Sequence, residues 1–235
     1  MSKGILYLVP APLGEGGEHV LPRYLLDIVS RCTHILSERG KTTRAQLKVL
    51  LPEMDLRPIV FTDLPKHNPD ENLATLLQPA LDGKHICLFA EAGCPGIADP
   101  GSNIAECAHA LGIRIVPLVG PSSLMLALMA SGLDGQRFAF RGYLPVQKAA
   151  LAATLREMVA ETMRAGTTFL FIETPYRNAQ LWSNLLQYLP DPLRLCLALE
   201  LTLPGETIST HRVSEWKRMK APGMDKKPAM FLFGR

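Results

Sequence analysis

In Ile86-Cys87-Leu88-Phe89-Ala90-Glu91-Ala92-Gly93-Cys94-Pro95-Gly96-Ile97-Ala98-Asp99-Pro100-Gly101 an apolar run of strand character passes directly into a loop rich in glycine and proline. Behind it Ile104, Cys107, Ala108 and Leu111 recur at the spacing of one helical face. The loop therefore stands at the carboxyl end of a predicted strand, where open α/β sheets place their ligands. Three glycines and two prolines between residues 90 and 101 let a ligand come close to a backbone of fixed shape. Glu91 and Asp99 add two carboxylates beside the exposed amide groups.

Outward from this loop, strands are predicted at residues 5–9, 34–37, 58–61, 85–89 and 113–118. Helical patterns lie between them at 21–31, 42–51, 71–81 and 103–111. This βαβα alternation calls for a mostly parallel sheet covered on both faces. Gly112 is placed to end a helix, and Gly120-Pro121-Ser122-Ser123 opens another at 124–131. Gly132-Leu133-Asp134-Gly135 reads as a linker. Beyond it, strands at 137–141, 167–173 and 193–199 surround helices at 147–163 and 177–189. Residues 206–213 and 229–233 read as antiparallel strands with no helix between them, closing a mixed sheet. The expectation is an α/β protein of two domains, 1–118 with a mostly parallel sheet and 119–235 with a mixed one.

Composition narrows the function classes. The 235 residues are 47% hydrophobic, enough for genuine cores. A net charge of +3 and 6% aromatic residues permit an anionic partner, without the dense basic, aromatic-interleaved stripe of a dedicated nucleic-acid binder. Cys32, Cys87 and Cys196 sit in apolar segments, and with Cys94 and Cys107 they form no Cys-x-x-Cys pair, so no metal site is expected. The apolar start at residues 5–9 is cut short by Pro10, Pro12 and Gly14, unlike a secretory signal. No run approaches the length of a membrane span, and a cytoplasmic location is expected.

The loops at the other strand ends carry further chemistry. Gly14 and Gly16 fit part of a dinucleotide fingerprint, but His19 occupies its third position. Ser37-Glu38-Arg39-Gly40-Lys41-Thr42-Thr43-Arg44 sets an acid among cations at a strand-to-helix junction, a pattern suited to a phosphate-bearing substrate or to a solvated helix start. His67-Asn68 follows the third strand at the same edge. Ser122 and Ser123 offer hydroxyls and free amides at a helix start. Glu173-Thr174-Pro175-Tyr176-Arg177 gathers an acid, a phenol and a guanidinium where a second-half strand meets a helix.

In order along the chain these segments resemble the tetrapyrrole-methylase family of S-adenosylmethionine-dependent methyltransferases. They are most similar to its bacterial branch acting on the cytidine 2′-oxygen of small-subunit (16S) ribosomal RNA. That branch has Thr-Pro-Ile-Gly where this chain has Ala11-Pro12-Leu13-Gly14, and Glu-Asp-Thr-Arg-x-Thr-Arg where this chain has residues 38–44. Its His-Asn falls on His67-Asn68, and its Ser-Asp-Ala-Gly-Thr-Pro-Gly-Ile-Ser-Asp-Pro-Gly on residues 90–101. Pro-Gly-Pro-Ser, Ser-Gly-Leu and Phe-Leu-Pro match residues 119–122, 131–133 and 143–145. Glu-Ser-Pro-His-Arg and Arg-Glu-Leu-Thr-Lys match residues 173–177 and 199–203. The departures are Arg39 for the branch's Asp, Gly40-Lys41 for its Thr-Arg, and Leu199 and Leu203 for a flanking Arg and Lys. Only Lys148 stands for the basic residues usual after Leu-Pro, and the branch's C-terminal extension has no counterpart before Arg235. The lost cations are ones expected to meet RNA phosphates.

The resemblance implies S-adenosylmethionine folded in a cleft between two α/β domains and held largely by backbone groups. Gly93, Cys94 and Ile97 would line its methionine and ribose part, with Ser122 and Ser123 near the methionine end and Leu199, Pro228 and Ala229 around the adenine. Pro12 and Glu173 join this cofactor-binding set, and Gly93→Val is expected to abolish cofactor binding with the fold intact. Glu38 and His67 are the candidate catalytic bases for a hydroxyl acceptor, and Arg44, Asn68 and Arg177 the candidate substrate contacts. The same resemblance implies a homodimer, and the methionine-containing stretch 124–130 suits either its interface or plain core. Alternatives are a small, tetrapyrrole-like or other acceptor, and a cofactor-binding homologue without turnover.

Overall fold

A computed structural model describes residues 2–65 and 72–235. It divides into two compact units, Met1–Ser122 and Ser123–Arg235. In the first, β1 (Ile5–Val9), β2 (His34–Ser37), β3 (Val60–Asp63), β4 (Ile86–Phe89) and β5 (Arg114–Pro117) form one sheet in the order β3-β2-β4-β1-β5. Every pairing in it is parallel. Strand side chains alternate between faces. Val9, Ile35, Cys87 and Phe89 pack with Leu25 and Val29 of α1 (Arg23–Val29) and Leu47 of α2 (Gly40–Leu50). Leu6, Leu36, Ile86 and Leu88 pack on the opposite face with Leu77 of α3 (Leu73–Leu81) and with Ile104 and Ala108 of α4 (Ser102–Ala110). The strands are apolar on both sides because helices cover both. Gly112 closes α4, its N–H bonded to the His109 carbonyl at 3.0 Å.

The second unit holds β6 (Phe138–Tyr143), β7 (Thr168–Ile172), β8 (Arg194–Leu199), β9 (Thr207–Arg212) and β10 (Ala229–Gly234), ordered β6-β7-β10-β8-β9. Only β6 and β7 run parallel; β10 pairs antiparallel with β7 and β8, and β8 with β9. One face packs Phe169, Phe171, Phe231 and Phe233 against α6 (Lys148–Ala165) and α7 (Asn178–Tyr188). Helix α5 (Ser123–Ser131) lies against β8, β9 and β10. The sheet is mixed as expected, with two corrections. A short helix, α8 (Val213–Trp216), stands between β9 and β10. Its Trp216 is buried, donating from Nε1 to the Leu195 carbonyl at 2.8 Å, and the four-residue segment is too short to show helical periodicity. Nor do residues 132–135 link units: Leu133 is buried and its N–H is held by Ser131 Oγ at 3.0 Å, a tight turn inside the second unit.

Among the described residues no helix is long and apolar enough to cross a membrane, and no group of His, Cys, Asp and Glu could hold a metal ion. Cys32, Cys87 and Cys196 are buried thiols.

Candidate functional site

Strand order places the first unit's loops. From β1 the chain moves to one side of the sheet, and from β4 it crosses to the other, so the direction of winding reverses beside β1 and β4. The loops leaving these two strands are tied together just beyond the sheet. Ala11 and Gly93 exchange backbone hydrogen bonds of 2.9 and 3.1 Å in an isolated bridge. Gly93 has φ +72°, and a β-carbon there would meet Leu13 Cδ2 at 3.4 Å and the Pro121 carbonyl at 3.7 Å. Gly120 is pressed closer still, where a β-carbon would sit 2.3 Å from Pro10 Cβ. The Cys94 thiol donates to the Pro121 carbonyl at 3.5 Å, and burial pushes its pKa up, which keeps it protonated and unreactive. Pro12 and Gly93 are buried, Cys94 and Ser122 half-buried, and Ile97 exposed on the 90–101 loop.

Beside this bridge stands a carboxyl cluster. Glu38 leaves β2 half-buried and shares a hydrogen bond with Asp99. Burial first, then the charges of Asp99 and Glu91, raise the Glu38 pKa; the Arg39 guanidinium opposes them. Asp99 is raised too, chiefly by burial, while its bonds to Glu38 and to the Glu91 backbone N–H pull it back. Arg39 Nε lies 3.3 Å from Glu91 Oε1, so the cation that replaces the branch's Asp partly neutralises the cluster. Glu91 Oε1 and Asp99 Oδ2 are buried without a hydrogen-bond partner among the described residues. Buried acceptors of this kind are complementary to a ligand that brings N–H or O–H donors and positive charge. The N-terminus of α2 is fixed alongside, with the Gly40 N–H donating to Asp63 Oδ1 at 2.7 Å and Gln46 Nε2 to the Glu91 carbonyl at 3.2 Å.

The second unit gathers its candidates at one sheet edge. Register pairs Leu199 with Ala229 and Ile172 with Met230, so Leu199, Ala229, Pro228 and Glu173 meet where β7 and β8 end and β10 begins. Glu173 is buried, accepts from the Thr174 N–H at 2.6 Å and pairs with Arg177. The next turn is unusual: Glu200 and Thr202 have φ of +50° and +67°. Glu200 pairs with Lys227, and its N–H bonds to the Pro228 carbonyl at 3.0 Å. Ser123 starts α5. His67 and Asn68 lie outside the described residues.

Of the sequence candidates in the first unit, Pro12, Gly93, Cys94 and Glu38 thus belong to one bridged edge. Arg44 stands one turn into α2 with its guanidinium carbon 4.0 Å from the centroid of the Phe61 ring. Asp63 has no role in the sequence reading, and Asp99 enters it only as a carboxylate of the 90–101 loop. Asp99 had a signal in its glycine-rich loop; Asp63 had none, since its role depends on β3 lying beside β2.

The sequence pattern of the family described as Tetrapyrrole (Corrin/Porphyrin) Methylases matches residues 6–216. The chain is 31% identical over 211 residues to the ribosomal RNA small subunit methyltransferase I of Vibrio cholerae, covering 90% of this chain and 69% of that protein. It is 33% identical over 207 residues to the protein of the same name from Xylella fastidiosa, covering 88% and 72%. In fold it is similar to the methyltransferase CobJ, with a TM-score of 0.63 at 18% identity over 100% of this chain and 95% of that one. The uroporphyrin-III-C-methyltransferase of Thermus thermophilus superposes with a TM-score of 0.58 at 22% identity, covering 98% and 92%. Two α/β units, bridged ligand-edge loops and this match over most of the chain agree: it belongs to the tetrapyrrole methylase family and is an S-adenosylmethionine-dependent methyltransferase.

Proposed function

We propose that this methyltransferase acts on small-subunit ribosomal RNA, transferring the methyl group of S-adenosylmethionine to a cytidine ribose 2′-oxygen. The observation that carries the reading is the Glu38–Asp99 pair, a carboxyl group of raised pKa on the edge that also holds Gly93. It is supported by the relatives that match most of the chain, which are ribosomal RNA small subunit methyltransferases.

The residues present fit the donor. Its sulfonium supplies an already activated methyl group, so the protein's task is alignment of the acceptor and removal of one proton. Asp99 Oδ2 offers an unfilled acceptor to its ammonium or hydroxyl groups, while Glu91 Oε1 faces the Arg39 guanidinium. In the first unit the donor-binding set is Pro12, Gly93, Cys94, Ile97 and Ser122; in the second unit the residues that the resemblance implies are Ser123, Glu173, Leu199, Pro228 and Ala229. A carboxylate of ordinary pKa is a poor base for a ribose hydroxyl. Burial and two neighbouring carboxyls strengthen Glu38 as a base and make it the acceptor of the 2′-hydroxyl proton. Arg44, stacked on Phe61, and Arg177, oriented by Glu173, are the phosphate contacts. The exposed Met125 and Met129 of α5 support a homodimer.

Mapping ribose methylation in small-subunit RNA from cells with and without the gene tests the acceptor. Loss of one cytidine 2′-O-methyl group, restored by the wild-type gene, is the expected result. If every methylated position survives, the acceptor is a smaller molecule.

A further inference from the structure

We propose that the exposed face of α2, from Lys41 through Arg44 to Lys48, is a track for the phosphate backbone of the RNA that carries the acceptor; it rests on the ribosomal RNA reading above. The three cations stand at i, i+3 and i+7, which puts them on one side of the helix, while Thr43 and Leu47 are buried on the other. At 1.5 Å of rise per residue they extend over roughly 10 Å, the reach of two successive phosphate spacings along a single strand. None of them makes an ion pair with a described carboxylate, whereas Arg39 is tied to Glu91 and Arg57 to Asp55. Arg44 is held by its ring contact with Phe61, which orders the guanidinium and leaves its N–H edge for an anion.

Helix stability accounts for Lys48, a cation in the last turn of α2, but not for Lys41. The first turn of α2 contains no acid, and Lys41 stands at the positive end of the helix dipole, where a cation is unfavourable. Arg44 and Lys48 also line a groove of about 730 Å³ with Met54 and Arg57. Its carboxylates are Glu53 and Asp55, and both oxygens of Asp55 are engaged by Arg57 at 2.8 to 3.2 Å. The track starts beside the reacting edge, because Glu38 and Arg39 lead straight into α2 and Gly40 and Gln46 pin the helix to Asp63 and to the Glu91 carbonyl. A strand presenting its ribose to Glu38 therefore continues over Lys41, Arg44 and Lys48.

The test replaces both lysines by an uncharged polar residue, as Lys41→Gln with Lys48→Gln, and measures anisotropy of a labelled single-stranded RNA across a salt series. Two lost phosphate contacts lower the slope of log affinity against log salt by about 1.4 and weaken binding about tenfold at low salt. The KM for small-subunit RNA rises in step, donor affinity by calorimetry and the melting temperature are retained, and Lys41→Arg with Lys48→Arg restores the wild-type slope. Should the wild type methylate the RNA while the glutamine variant keeps its slope and affinity, the track is overturned and the acceptor reading stands. Should the wild type neither bind RNA nor methylate it, both fall.

Discussion

Glu38 and Asp99 share one hydrogen bond in a partly buried pocket of like charge, and this sets what pH does to the protein. A carboxyl whose folded pKa lies above its unfolded value binds its proton more tightly when folded. Its ionisation therefore costs stability, which falls as pH rises from the ordinary carboxylate range through the raised value. Glu38→Gln removes that charge, so the variant should melt no lower than wild type at neutral pH, while methyl transfer falls about 10²- to 10⁴-fold with donor affinity kept. Asp99→Asn takes away a charge that raises Glu38, and the acid limb of the kcat profile should move to lower pH. A limb that stays in place would remove Glu38 as the base. Gly93 yields a different expectation from the sequence-based one. With φ at +72°, valine at this position strains the backbone before it meets any ligand, so Gly93→Val loses stability as well as donor binding. Gly93→Ala should cost about 1–2 kcal/mol in chemical denaturation, the penalty of a left-handed L-residue.

Elements behave as their packing dictates. Helix α8 has four residues and little intrinsic stability, and it persists because Trp216 is inserted between Trp182, at a ring distance of 4.9 Å, and His211, at 4.6 Å. Trp216→Ala should therefore destabilise the second unit by about 3–5 kcal/mol in denaturant unfolding followed by Trp182 fluorescence. Unchanged unfolding would mean that α8 is not part of that core. Strand β3 illustrates the limits of local reading. The segment 58–61 was expected as strand and Val60–Asp63 is observed, a shift of two residues toward the ligand edge. Pro58 cannot donate to the ladder, and the register His34↔Val60 to Ser37↔Asp63 sets the strand by its neighbour. That shift brings the Asp63 carboxylate to the start of α2.

At the scale of the molecule the exposed methionines of α5 are the test of assembly. Met129 is 81% exposed and Met125 43%, on a helix whose Leu124, Ala127 and Leu128 are buried. Light scattering at micromolar concentration should give twice the chain mass, and Met125→Glu with Met129→Glu should return a monomer that keeps its melting transition. A wild-type monomer would set the dimer aside.

Alternation of strand and helix, apolar on both strand faces, determined from sequence that the first half is a parallel sheet, because only strands buried on both sides carry such runs. The residues 90–101 were legible as a candidate ligand loop because glycine and proline mark conformations that few other residues adopt. Glu38 and Arg44 were legible too, as charges at a strand end. Their partners were not. Asp99 reaches Glu38 across 61 positions of chain, Phe61 lies under Arg44 from another strand, and Ala11 meets Gly93 outside any regular element. Such contacts depend on strand order, and strand order follows from how the helices cover the sheet as a whole. Local sequence fixes which groups stand at the carboxyl edge; tertiary packing alone decides which of them touch, and so which carboxyl acquires the raised pKa.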